Sequence, residues 1–233
     1  GIFEPDVTGA STLNIYDLTS GERLHKVDLA IATPDGYKVM VNDIALDANG
    51  SAYVTNSFAP IIYRVDTAGK ASVFVDDPRL GEEGHGLNGI EYHPDGYLIA
   101  SITTLPGVPL MVDKPQYALF KIPVDNPADM TRIEVNEFLF ADGMIWHPNG
   151  DLIFCGGVHD EDGVEQLGAF ALRSSDDWKT ATVVSRAYDE RFASTAAIRD
   201  SEIYKVYLPY KSMGETPPET FEIARVVFGE NRQ

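Results

Sequence analysis

The stretch "ADGMIWHPNGDL" (residues 141–152) reads as a strand, a tight turn and a second strand, because Asn149-Gly150 is a strong hairpin signal. The chain says nearly the same thing twice before, as "LNGIEYHPDGYL" (87–98) and "VNDIALDANGSAY" (41–53). Each copy opens on an amide or carboxylate followed at once by Gly or Asp. Each then runs through an apolar stretch and turns at Asp-Gly or Asn-Gly.

Working outward, the residues between the copies form short runs rich in Val, Ile, Tyr and Phe, separated by Gly, Pro, Asn and Asp, and helical periodicity is nearly absent. After Asn42 the order "DIALD", "SAYVTNS", "IIYRVD", "ASVFVDD" makes a four-stranded meander. The pattern returns as "GIEYH", "YLIASI", "YALFKIPV", "TRIEVNEFLF", then as "GMIWH", "DLIFCGG", "GAFALRSS", "TATVVSRAY", and last as "TAAIRD", "EIYKVYLPY", "TFEIARVVF". The matching positions 42, 88, 142 and 194 stand 46, 54 and 52 residues apart. Four strands at such a period predict an all-β fold, a β-propeller of four-stranded blades around a central channel. Read this way, the chain is a single domain, residues 1–233. Residues 1–41 supply the outer strands of an incomplete blade, and 42–86, 87–140, 141–192 and 193–233 are successive blades, about four and a half in all.

Composition narrows the function. With 233 residues and 44% hydrophobic content, the chain suffices for one sizeable core or one set of repeats. The 36 acidic against 18 basic residues give a net charge of −18, which repels nucleic acid and anionic membranes and favours cations near a concave site. No apolar run reaches the length of a membrane span. Cys155 is the only cysteine, so neither a disulfide framework nor a cysteine zinc site can be built; within "DLIFCGG" it reads as a small buried strand residue. The compartment stays open. The sequon Asn49-Gly50-Ser51 leans toward an extracellular or periplasmic location.

In a propeller the first strand of each blade is innermost, so Asn42, Asn88 and Asp142 should point toward one end of the channel. A carboxylate with two amide oxygens is ligand chemistry for a hard divalent cation, most simply Ca²⁺. The plainer alternative is that Asn and Asp sit there to bond their own backbone at strand entries. The fourth repeat offers Ser194 and Thr195 instead. The turns carrying His93 and His147 fall at the far end, which makes those histidines turn residues. The loops after each second strand return to the channel mouth, where Phe58, Leu105, Met111 and Met213 are candidates for an apolar substrate wall. His85 and His159 are the two histidines placed near it as acid, base or substrate contact.

At these motifs the chain resembles the gluconolactonase and senescence-marker-protein family, with its luciferin-regenerating and diisopropylfluorophosphatase-like members, over essentially everything after about residue 11. The resemblance implies a six-bladed propeller with a catalytic divalent cation held by one Glu, two Asn and one Asp. Asn42 and Asn88 match the two Asn ligands, and Asp142 matches the Asp, which also serves as nucleophile or base. Asp43 would support the site from beside Asn42. The family's Glu belongs to a first blade that this sequence lacks; Glu4 stands in an outer-strand context and does not take its place. The start therefore reads as a truncation.

The function implied is metal-dependent hydrolysis of a lactone, ester or phosphoester, on a small-molecule substrate. The alternative is a noncatalytic, ligand-binding or assembly-forming propeller outside the cell, whose open N-terminal edge recruits a partner chain or a missing segment.

Overall fold

A computed structural model describes residues 11–81, 85–104, 117–159, 164–207 and 221–229. Among the described residues, seventeen strands and three short 3₁₀ turns make up the regular structure. Two compact units emerge: one from residues within 1–116 together with Ile122–Met130, the other from Tyr117–Lys121 together with residues within 131–233.

In the first unit, β1 (Thr12–Tyr16) and β2 (Arg23–Asp28) form an antiparallel hairpin. The strands β3 (Val41–Leu46), β4 (Ala52–Asn56), β5 (Ile61–Val65) and β6 (Ala71–Asp76) form an antiparallel meander in chain order. A second hairpin follows, β7 (His85–His93) with β8 (Tyr97–Thr104). The core of this unit packs Leu13 and Val27 of the first hairpin against Ala52, Val54, Ile61, Tyr63 and Val65 of the meander, removing apolar surface from water. The hairpin thus covers β4 and β5. The edge strand β3 keeps Ile44 and Leu46 exposed.

Strand β9 (Ala118–Pro123) pairs with β10 (Thr131–Val135) through residues 119–121 of the second unit. In that unit β11 (Leu139–Trp146), β12 (Leu152–His159), β13 (Glu165–Arg173) and β14 (Thr180–Tyr188) repeat the antiparallel meander. The last sheet is β15 (Ala193–Arg199), β16 (Glu202–Tyr207) and the three-residue β17 (Ile223–Arg225). Small residues let two sheets close here: Cys155, Ala169 and Ala171 meet Ala193, Ile203 and Tyr207 in one buried cluster.

The turns inside each repeat are built alike. Gly50, Gly96 and Gly150 have φ of +82°, +88° and +90°, which a side chain would strain, and each donates its N–H to the carbonyl three residues back. His93 and His147 sit in these turns, where their Nδ1 atoms accept from the N–H of Asp95 and Asn149.

Candidate functional site

The residues that open each repeat share a feature beyond their sequence. The ladder between the first and second strands breaks between Val41 and Ile44 in β3, between Leu87 and Ile90 in β7, and between Ala141 and Met144 in β11. The break brackets Asn42-Asp43, Asn88-Gly89 and Asp142-Gly143 in turn. A β-bulge releases backbone groups from the ladder and re-aims side chains, and bulges recur beside functional sites.

In the first unit, hydroxyls of the neighbouring strand take up the released groups and tie two repeats together. Asn42 donates from Nδ2 to Ser57 Oγ at 2.9 Å, and Ser57 Oγ donates to the Leu87 carbonyl at 2.7 Å. Thr55 Oγ1 accepts from the Asp43 N–H at 3.0 Å and donates to the Asn88 carbonyl at 2.8 Å. Close approach is enforced by Gly86, where a Cβ would fall 2.0 Å from the Ser57 carbonyl oxygen. The two bulges are thus joined by two hydroxyl bridges, one from Asn42 to the Leu87 carbonyl and one from Asp43 to the Asn88 carbonyl. Their roles at the surface differ: Asn42 is exposed, whereas Asn88 is 4% exposed.

Asn88 Oδ1 is buried with no hydrogen-bond partner among the described residues. Burying a polar oxygen unpaired costs on the order of 1–3 kcal/mol, a cost that a bound water or ion relieves. The amide of Asn42 bonds through Nδ2, and no hydrogen bond to its Oδ1 is seen among the described residues. Two amide oxygens of this kind fit a hard divalent cation. Among the described residues no group of three or more His, Cys, Asp or Glu is placed to hold a metal.

Beside the amides lie two carboxylates. Asp43 accepts from the N–H groups of Ile44 at 2.9 Å and Ile90 at 3.0 Å, yet burial raises its pKa above the ordinary range. Glu91, in β7, is pushed up to about 7 by burial and then by the neighbouring Asp43 charge. Glu91 was not among the residues singled out from the sequence. Its signal was an acid in the run of β7 that follows the bulge, "GIEYH".

Phe58 follows Ser57 directly and is half-buried, with its N–H held by Asn56 Oδ1 at 3.0 Å. His85 opens β7, paired with Thr104. Met111, like Leu105 and Met213, lies outside the described residues.

In the second unit, Asp142 is half-buried in the β11 bulge. The next residue, Gly143, packs so closely on β15 that a Cβ would lie 2.2 Å from Thr195 Oγ1. Cys155 is fully buried, and its thiol is pushed up to about 12 by burial, with the Asp142 charge raising it further and Lys205 acting the other way. The sequence reading of an inert strand cysteine fits that environment. Lys205 itself is held at 3.0 Å by Asp189. Burial alone would raise the Asp189 carboxyl; the Tyr207 hydroxyl, the Arg191 N–H and Lys205 outweigh it and hold the group well below the usual carboxylate range.

His159 ends β12, half-buried, its N–H donated to the Phe138 carbonyl at 3.0 Å. Its ring meets Tyr117 edge-on at 5.8 Å and Phe138 at 6.3 Å, and Phe140 stacks on Phe192 at 5.6 Å. Of the residues proposed from sequence, the first unit thus brings together Asn42, Asn88, Asp43 and Phe58, and the second carries Asp142 and His159.

No protein-family model matches the sequence, and no curated protein matches it. Solved structures do. A luciferin-regenerating enzyme is similar over 94% of this chain and 70% of its own, at 12% identity and a TM-score of 0.59. The PQQ-bound aldose sugar dehydrogenase of Streptomyces coelicolor is similar over 84% of this chain and 65% of its own, at 14% identity and a TM-score of 0.51. A gluconolactonase of Xanthomonas campestris matches over 72% and 56%, at 16% identity and a TM-score of 0.49. The chain therefore spans less than two thirds of the length of two of these three. The likeness to the first two is one of fold, and the fold is an all-β propeller. A luciferin-regenerating enzyme belongs to the group that the sequence motifs resemble.

Proposed function

We propose that this propeller is a divalent-cation-dependent hydrolase of a lactone, ester or phosphoester. The observation that carries the reading is the buried, unpartnered Oδ1 of Asn88, in a bulge that Ser57 and Thr55 tie to the bulge of Asn42. Asn42 and Asn88 are the amide ligands in this reading. Asp142 joins them on the strength of the family resemblance, as ligand and as the base or nucleophile, with Ca²⁺ the expected ion.

A cation bound there supplies Lewis-acid polarisation of the carbonyl or phosphoryl oxygen. The chain's own residues do the rest. Thr55 and Ser57 fix the two bulges, so the amide oxygens need not reorganise when a ligand arrives. Asp142 takes a proton from the attacking water, whose oxygen bonds to the acyl carbon. The bond to the leaving oxygen breaks, and that oxygen receives the proton. The products are a carboxylic acid and an alcohol, joined in one molecule when the substrate is a lactone.

Hydrolysis of a panel of lactones, aryl esters and phosphotriesters, with Ca²⁺ and with chelator, tests this reading in the intact protein and in Asp142→Ala. Activity that needs the cation and falls at least about 10²-fold in the variant supports it. Equal activity in the variant, or indifference to the chelator, removes it.

A further inference from the structure

Asn56, the last residue of β4, is fully buried, and its side chain makes all four of the hydrogen bonds an amide can make. Its Oδ1 accepts from the N–H groups of Met40 and Phe58, both at 3.0 Å. Its Nδ2 donates to the Lys38 carbonyl and to Tyr63 Oη, both at 3.0 Å. Tyr63 Oη lies 2.7 Å from Thr33 Oγ1, which itself donates to the Leu29 carbonyl at 2.9 Å. One buried amide thus ties together the approach to β3, the turn after β4, and β5.

The other repeats show that the bulge does not need it. The ladders pair Val41 with Asn56, Leu87 with Ile102 and Ala141 with Gly156, so Ile102 and Gly156 hold the same place beside the other two bulges. Both of those bulges form with no amide there. What sets the first repeat apart is exposure: Asn88 is packed among its neighbours, whereas Asn42 is exposed and Ile44 and Leu46 beyond it are bare. Packing holds Asn88, so Asn42 has to be held from inside its own repeat.

The bonds of Asn56 act at that point. Met40, whose N–H it holds, stands two residues before Asn42, and the Met40 carbonyl accepts from the Ser57 N–H at 2.8 Å. Ser57 carries the hydroxyl to which Asn42 donates. Asn56 therefore fixes both sides of the contact between Asn42 and Ser57, and through the N–H of Phe58 it fixes the ring proposed from sequence as a substrate wall. We infer that Asn56 is the positioning residue of the exposed bulge: it holds Asn42 to receive the cation and Phe58 to meet the substrate, in place of the packing that secures Asn88. This inference rests on the hydrolase reading for the cation and the substrate, and on the hydrogen bonds alone for the positioning.

Amide hydrogen exchange in the ion-free full chain measures the positioning without any ligand. Asn56→Ala should speed exchange at residues 40–42 and 57–58 at least about tenfold more than at the buried Leu98, Ile99 and Ala100 of β8. Tyr63→Phe removes one of the four bonds and spares those to Met40, Lys38 and Phe58; it should lower the melt and leave the exchange pattern unchanged. In calorimetric titration the affinity for Ca²⁺ should fall about tenfold in Asn56→Ala and stay within about twofold of the parent in Tyr63→Phe. The parent alone gives a second reading that needs no variant to fold. Saturating Ca²⁺ should slow exchange at 40–42 and 57–58 at least about tenfold beyond the slowing in β8, because a position that favours the ion is favoured by it. Unchanged exchange in Asn56→Ala, equal loosening or equal loss of affinity in Tyr63→Phe, or uniform slowing in the Ca²⁺-bound parent overturns the positioning role. The expected exchange pattern in a protein that binds no Ca²⁺ or hydrolyses nothing upholds the positioning and rejects the hydrolase.

Discussion

Asn42-Asp43-Ile44 and Asn88-Gly89-Ile90 are matching words that differ only in the middle residue and sit in the same bulge of the same kind of strand, yet their surroundings differ sharply. Ile90 is 1% exposed and Ile44 is 46% exposed; Asn88 is buried and Asn42 is not. The cause lies outside both words. Strand β7 lies against β3, with the hydroxyls of Thr55 and Ser57 bridging the two repeats. The β1–β2 hairpin packs on β4 and β5 and leaves Ile44 and Leu46 bare. A repeat therefore specifies its own bulge, but its burial is conferred by the neighbouring repeat. The unpartnered oxygen is a product of that second step, which is why Asn88 has it.

The third copy of the word gives the largest test of the comparison, because there a carboxylate replaces the amide. Asp142→Asn turns the third word into a copy of Asn88-Gly89. Hydrolysis should fall by about 10²- to 10⁴-fold, roughly 3–5 kcal/mol of transition-state stabilisation, with the fold intact by circular dichroism. Activity close to that of the parent would mean that the carboxylate is no more than a third amide.

Burial itself can be weighed by chemical denaturation. Ile90→Ala should cost about 2–5 kcal/mol, since it opens a cavity in packed surroundings, whereas Ile44→Ala should cost under about 1 kcal/mol. Equal costs would mean that Ile44 is covered in solution, by another chain or by another part of this one.

A smaller effect follows from the acids beside the two words. Glu91 has a folded pKa of about 7, above its value in an unfolded chain, so the folded state holds the extra proton. Its contribution is fully present on the acid side and is lost as pH rises from about 4.5 to about 7. In the chelated protein Glu91→Gln should flatten that slope and add roughly 2 kcal/mol at pH 8, once partial solvation is allowed for. A variant with the parent's pH profile would place the carboxyl in water.

How much of this was legible in the sequence follows from the same division. The turns were, because Asn-Gly and Asp-Gly act locally; Gly50, Gly96 and Gly150 all take the positive φ that their dipeptides announce. So were the strands they join, and the buried, inert Cys155. The bulges were hidden, since Asn-Asp, Asn-Gly and Asp-Gly also read as strand-entry words and only the register of the partner strand reveals the break. Glu91 was missed because its burial, the main cause of its raised pKa, arises only in the packed fold, with the charge of Asp43, nearly fifty positions away, adding to it.

Calorimetric titration of Ca²⁺ into the chelator-stripped protein, beside Asn88→Leu, addresses the central claim most directly. Saturable binding by the parent is the expected result, with the melt stabilised by about 2.7 kcal/mol at a hundredfold excess over Kd, and both effects absent from a folded Asn88→Leu. Binding of equal strength in the two proteins, or none in either, would contradict the account, because the buried oxygen would then have no cation to meet.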